Sequence, residues 1–292
     1  MSVFNKHLTS IFGSAVVIVL GILCFEVCIH LKFLGDAYKN SYAYLVVIGI
    51  SVVSYTIFKK YVKRIGIIKN KYLTPKKISW QSKIGIITLA LIIDNGLNYP
   101  FPTHTENQNK IESGQKDMSL ITLLLDGSIS PAIIEEICFR GILFIVILAS
   151  SSYLFKYKNC KNDWLGLLSF FAFSSIFFGF VHVAKGYDIQ NIGGYLMSGF
   201  VFSFIYILTR DLKIPIMVHF LTNAISILNR HNMNYLSILI LYVLIFFGIY
   251  VLYIKRHKIN GYGNYLYYRF KKVQCQKQLQ KNAEKRSVLQ WN

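Results

Sequence analysis

Residues 131–141, PAIIEEICFRG, hold two adjacent glutamates and an arginine inside a stretch otherwise apolar enough to lie in a bilayer. Ionisable groups are costly at that depth and by default mark function; the plainer explanation is a buried ion pair or a side chain reaching the interface. Helical spacing divides the two acids. Glu136 and Arg140 stand i,i+4 with the acid N-terminal, the favourable order for pairing. Glu135 points about 100° away around the helix and gains no such neighbour. One carboxylate then stabilises the arginine and sets the local field, and the other is available for chemistry.

Two further segments carry polar groups of the right type. FFGFVH places Phe178 and His182 i,i+4 on one helical face, and HFLTN does the same for His219 and Asn223. A lone histidine in an apolar helix is more often a satisfied hydrogen-bonding residue. Here two imidazoles and an amide accompany a spare carboxylate. Together they supply a base, hydrogen-bond donors and metal ligands, which is the equipment for activating water.

The elements that must position these groups are membrane helices. The chain has 292 residues, 54% hydrophobic and 15% charged, with mean hydropathy +0.43. Apolar runs fall at about 10–31, 42–58, 84–101, 118–154, 164–184, 189–209, 214–229 and 234–254. Most have the length needed to cross a hydrocarbon core of roughly 30 Å. They are continuous rather than alternating, which excludes a β-barrel. The run at 118–154 is too long for one crossing and contains Gly127 and Pro131, so it divides into a short segment, 118–127, and a spanning helix from about Ser130. The fold class is all-α: a polytopic membrane helix bundle with about eight transmembrane helices. Cys24, Cys28, Cys138, Cys160 and Cys275 are scattered without a disulfide or zinc-ribbon spacing. The first run shows no clear small-residue cleavage site and reads as a retained helix rather than a signal peptide.

The net charge of +19 suggests nucleic acid until its placement is considered. Residues 59–83 hold nine Lys/Arg and no acid, and the tail 255–292 holds ten Lys/Arg and one glutamate. These two segments flank apolar runs and carry nearly all the excess, as cytoplasmic loops do. No nucleic-acid motif accompanies them. The 155–163 loop, with Lys156, Lys158 and Lys161, should also be cytoplasmic, and the nearly neutral 102–117 loop should lie outside. Eight crossings with both termini in the cytoplasm satisfy these placements. The chain thus divides into N-terminal helices with a basic loop (1–117), a polar-motif core (118–230), a final transmembrane helix (231–254) and a basic cytoplasmic tail (255–292) that can touch anionic lipid.

EExxxR, FxxxH and HxxxN, in that order on successive apolar helices, resemble the CPBP family, the CAAX prenyl endopeptidases and bacterial bacteriocin-processing and immunity proteins also called Abi. The resemblance covers roughly 118–230. It implies an intramembrane endopeptidase of the cell membrane acting on a membrane-associated peptide or protein. By similarity, Glu135 would activate water with help from His182, while His219 and Asn223 would stabilise the oxyanion. Glu136, Arg140 and Phe178 would support the site. Members are often labelled metalloproteases, but HExxH is missing here and Asn is a poor zinc ligand. The preferred expectation is therefore a glutamate mechanism requiring no cofactor; the alternative is zinc on Glu135, His182 and His219. Bacteriocin or peptide-pheromone processing and self-immunity are the implied settings. Two rivals stand beside this one: a non-catalytic immunity or scaffold protein on the same fold, and a proton-coupled transporter, which would more often show two related halves. Placing His182 near the outer end of one helix and His219 near the inner end of another leaves a mismatch in depth, to be closed by a re-entrant turn at Lys213–Pro215 or by shifted boundaries.

Overall fold

The computed structural model describes residues 3–29, 41–101, 106–115, 118–156, 163–184, 187–251 and 253–254. The basic tail 255–292, most of the 155–163 loop, and Cys160 and Cys275 lie outside the described residues. All the regular structure described is helical, as the apolar runs require. Two compact units are formed, Met1–Leu244 and Ile245–Asn292.

Each of the eight apolar runs becomes helix. α1 (Val3–Ile29) and α2 (Ser41–Ile65) form an N-terminal pair, followed by the short α3 (Asn70–Leu73) and by α4 (Trp80–Asn98). Ser79 starts α4 by accepting the Ser82 backbone N–H, the usual chemistry of a helix N-terminus. After α5 (Glu106–Gln115), the fourth run is α6 (Leu120–Leu124), α7 (Ser130–Glu136) and α8 (Leu143–Lys156). Then come α9 (Asp163–Ala184), α10 (Ile192–Thr209) and α11 (Lys213–Arg230). A last apolar helix, α12, spans Asn234–Val251.

Among the described residues, five helical spans are long and apolar enough by themselves to cross a membrane: Asn5–Ile29, Tyr42–Ile65, Trp164–Ala184, Ile189–Thr209 and Asn234–Val251. The other three columns, α4, α6–α8 and α11, carry Asp94, Glu135, Glu136, Arg140, His219 and Asn223. In α4 and α11 polar residues, the groups of interest among them, lower the hydropathy, whereas the α6–α8 column is divided into short pieces by two π-helical turns.

The fourth run departs from the expected break at 118–127. Helix continues from Leu120 to Lys156 through two wider π-helical turns, Leu125–Ile129 and Ile137–Ile142. The Ser130 N–H bonds to the Leu125 carbonyl and the Leu143 N–H to the Cys138 carbonyl, one residue longer than an α-turn. Pro131 lacks an N–H, and in a regular helix its ring would press on the carbonyl four residues earlier. The first wide turn ends just before it and removes that conflict without ending the helix. A second difference lies in the 102–117 loop, where 106–115 is helical. It is tied down at both ends: the Glu106 backbone N–H donates to Asp188 at 3.0 Å, and Gln115 Nε2 donates to Asp126 at 2.7 Å.

The α9–α10 contact sets the depth of the bundle. A Cβ on Gly199 would stand 2.9 Å from the Ser175 carbonyl oxygen, so only glycine permits this approach. Ser175 and Ser203 meet across the same seam and are fully buried. Small residues at such seams let membrane helices pack backbone to backbone. Below it, Phe144, Phe170 and Tyr206 pack edge to face, with ring centroids 4.8–6.1 Å apart.

Candidate active site

α7 and the wide turn after it deliver the acids and the arginine. Arg140 Nη1 donates to Glu136 Oε1 at 2.9 Å, and both side chains are completely buried. Arg140 Nη2 donates to the Gly199 carbonyl at 3.1 Å. Its guanidinium lies over the rings of Phe178 and Phe202, 4.6 and 5.4 Å from their centroids. A buried cation needs both an ionic partner and a polarisable wall, and this one has them from three helices. His219 Nδ1 is also bound to Glu136 Oε1, at 3.1 Å. Glu136 is thereby shared between Arg140 and His219. The wide turn that presents Arg140 is packed tightly. A Cβ on Gly141 would lie 2.7 Å from the Tyr55 ring.

Glu135 has different surroundings. Its side chain is 27% exposed, and its Oε2 lies 3.4 Å from His182 Nε2 and 3.9 Å from His219 Nε2. That oxygen makes no aligned hydrogen bond. The far nitrogens of both rings are occupied. His182 Nδ1 bonds to the Phe178 carbonyl at 2.7 Å, and a carbonyl only accepts, so the proton sits on Nδ1. His219 Nδ1 faces the Arg140-paired carboxylate of Glu136 and is likewise the donor. Two imidazole Nε2 atoms therefore converge on one carboxylate oxygen. Their rings are fixed by stacking: His182 on Tyr195, centroids 4.7 Å apart, and His219 on Phe202, 5.0 Å apart.

The mismatch in depth between the histidines closes within the bundle. Phe178, one turn before His182, meets the His219 ring at 5.8 Å. α10 between them is only 18 residues long. α11 begins at Lys213 with Pro215 in its first turn. Phe178 walls the site, touching His182, His219, Phe202 and Arg140.

Glu135, His182 and His219 thus come together. Asn223 stands one turn after His219 and is half-buried; no hydrogen bond or ion pair of its side chain occurs among the described residues. The sequence reading missed Asp94. It is fully buried in α4 and accepts from Thr222 Oγ1 at 3.1 Å and from Asn98 Nδ2 at 3.2 Å. Its signal was available, an acid inside the apolar run 84–101. Gly199, whose carbonyl takes the arginine, has no side chain to draw notice, and Tyr195, which backs His182, is one of 20 tyrosines in the chain.

Zinc bound by one carboxylate oxygen and two imidazoles in a tetrahedron, at distances of about 2.0–2.2 Å, puts neighbouring ligand atoms about 3.3 Å apart. The His182 edge fits this and the His219 edge at 3.9 Å is too wide. Among the described residues, no group of three or more His, Cys, Asp or Glu is arranged to hold a metal ion. As placed, the residues do not fit zinc.

Residues 117–225 match the family described as type II CAAX prenyl endopeptidase Rce1-like. Over this segment, a little over a third of the chain, the protein is similar to that family. The Rce1-like segment contains Glu135, Glu136, Arg140, His182, His219 and Asn223, whereas α4 with Asp94 lies outside it. The chain is also similar to the Bacillus subtilis (strain 168) protein named "Putative membrane peptidase YdiL", 27% identical over 130 residues, or 44% of this chain. The match spans 46% of that relative's length, about half. No solved structure matches the chain.

Proposed function

We propose that this chain is an intramembrane endopeptidase that hydrolyses a peptide bond of a membrane-associated peptide or protein with water activated by Glu135. The observation that carries this reading is the convergence of His182 Nε2 and His219 Nε2 on Glu135 Oε2, an oxygen buried without a hydrogen-bond partner on a side chain that is 27% exposed. Glu135 takes a proton from water, and the oxygen attacks the scissile carbonyl carbon. His182 orients that water through Nε2, its Nδ1 being held by the Phe178 carbonyl. His219 and Asn223 stabilise the oxyanion. For His219 this requires a proton on Nε2 as well as on the Nδ1 bound by Glu136; the two carboxylates lie 3.9 and 3.1 Å from the ring nitrogens. Glu135 then passes its proton to the leaving amine as the C–N bond breaks. Donors aimed at a developing oxyanion contribute about 3–4 kcal/mol in comparable sites.

The substrate class follows from position. A site built from helices that cross the bilayer meets peptides carried in or on it, and the cell membrane is the place of action, with both termini in the cytoplasm. Bacteriocin or pheromone processing and self-immunity all use such peptides. The test compares membranes of cells carrying the wild-type chain with those carrying Glu135→Gln, at equal protein levels, by sequencing new peptide N-termini. Termini that appear only with the wild type support the reading. Identical termini in both would overturn it in favour of a non-catalytic scaffold.

A further inference from the structure

Asp94 is a buried carboxylate that the hydrolytic scheme above does not use. It sits fully enclosed in α4, a helix with mostly apolar neighbours. An acid in that setting is costly unless its oxygens are bonded. Both are. Oδ2 accepts from Thr222 Oγ1 of α11, and Oδ1 accepts from Asn98 Nδ2 one turn along α4. Asn98 Nδ2 also donates to Ser198 Oγ of α10 at 2.9 Å, and the Ser198 hydroxyl is itself a partner of the Asp94 carboxylate. One polar clamp therefore ties three helices together.

What the clamp holds is specific. Thr222 lies three residues after His219 and directly before Asn223. Ser198 directly precedes Gly199, whose carbonyl takes Arg140. On the opposite side, Ser128 Oγ donates at 2.8 Å to the carbonyl of Phe220, the residue after His219. The His219 turn is thus pinned twice, toward the wide turn that precedes Glu135 and toward α4. The His219–Glu136 bond adds a third tie to the same turn. Together they fix its height and rotation.

We propose that Asp94 is a positioning residue: through Thr222 it sets α11 so that His219 and Asn223 face Glu135, with Asn98 and Ser198 holding Asp94 itself in place. The inference rests on the protease reading for its consequence in turnover, but not for its structural content. Small displacements matter because a misplacement of about 1 Å at a reacting centre can cost on the order of a hundredfold in rate.

The test uses the full chain in liposomes. Thr222→Val removes the hydroxyl at nearly constant volume, and Thr222→Ser keeps it. Phe170→Leu, in the Phe144–Tyr206 cluster away from the site, supplies a control that lowers thermal stability without touching the clamp. Two quantities are read: the 15N resonances of labelled His219, and kcat and KM on a peptide spanning a cleavage site mapped as above. Thr222→Val is expected to shift the His219 resonances and lower kcat about tenfold or more at unchanged KM. Thr222→Ser should restore both, and Phe170→Leu should move neither. Wild-type His219 resonances in Thr222→Val overturn the clamp. So does an equal loss of kcat in Phe170→Leu, which would make the effect one of stability. Full turnover by Glu135→Gln would instead remove Glu135 as the base, while the His219 resonances still decide the clamp.

Discussion

Glu135 and Glu136 are consecutive in the chain and opposite in surroundings. Glu136 is completely buried and bound by Arg140 and His219, with the arginine in turn bonded to Gly199 and walled by Phe178 and Phe202. Glu135 is partly open, and its inner oxygen has two imidazoles near it but no aligned bond. The contrast separates two uses of charge inside a membrane protein. Glu136 Oε1, engaged by both Arg140 and His219, ties helices together, while its Oε2, like that of Glu135, has no hydrogen-bond partner. A carboxylate facing two imidazole Nε2 atoms without an aligned bond can exchange a proton.

The largest effect expected from this contrast is on turnover. Glu135→Gln should lower kcat by about 10²–10⁴-fold, the usual contribution of a general base. Its thermal midpoint should stay near that of the wild type, because no aligned hydrogen bond of Oε2 is lost. A variant that unfolds early would merge the two glutamates into one structural role.

Glu136→Gln should show the reverse balance. It strands Arg140, which is completely buried, and breaking such a pair typically costs about 3–5 kcal/mol. The expected outcome is poor accumulation or a strongly lowered thermal midpoint in membranes, measured by detergent extraction after heating. Unchanged stability would contradict the division.

A smaller effect tests whether the open face acts as a unit. The double variant Glu135→Gln/His182→Ala should lose less than about tenfold beyond the more damaging single change, since groups acting on one water are strongly non-additive. Multiplying losses, measured as kcat/KM for all four proteins, would place His182 outside the reaction. Gly141→Ala probes the closed side more gently. The new methyl must displace the Tyr55 ring, and overpacking of this kind costs about 1–3 kcal/mol. Its expected signature is a lowered thermal midpoint with turnover retained. The smallest effect concerns metal: the spacing at His219 does not suit zinc, so dialysis against a chelator is expected to leave kcat unchanged. Loss of turnover restored by added zinc would require the two imidazoles to close around an ion.

Much of this site was legible because a membrane helix is a quiet background. Glu135, His182 and His219 stand out among apolar residues, and i,i+4 spacing correctly separated Glu136, bonded to Arg140, from its neighbour. Asp94 offered the same signal and has a local i,i+4 partner in Asn98, but its tie to Thr222 spans 128 residues, beyond any local spacing rule. The wide turns at Leu125–Ile129 and Ile137–Ile142 were hidden for another reason. Gly127 and Pro131 announce a conflict with α-geometry, and the sequence does not say whether the chain resolves it by breaking or by adding a residue to the turn. The helix at 106–115 was masked by polar composition, since its tethers to Asp188 and Asp126 are tertiary. Asn223 was placed by spacing on the His219 face, where it stays without a bonded partner among the described residues.

The account depends most on Glu135 delivering water to a carbonyl. The direct measurement is cleavage of a mapped substrate peptide in 18O-labelled water by purified wild-type, Glu135→Gln and Glu136→Gln proteins, with each protein's folded fraction measured alongside. The wild type should place one 18O atom in the new carboxyl terminus. Glu135→Gln should remain folded and produce no labelled product, and the residual folded fraction of Glu136→Gln should still produce some. Labelled product formed by Glu135→Gln at the wild-type rate would contradict the account.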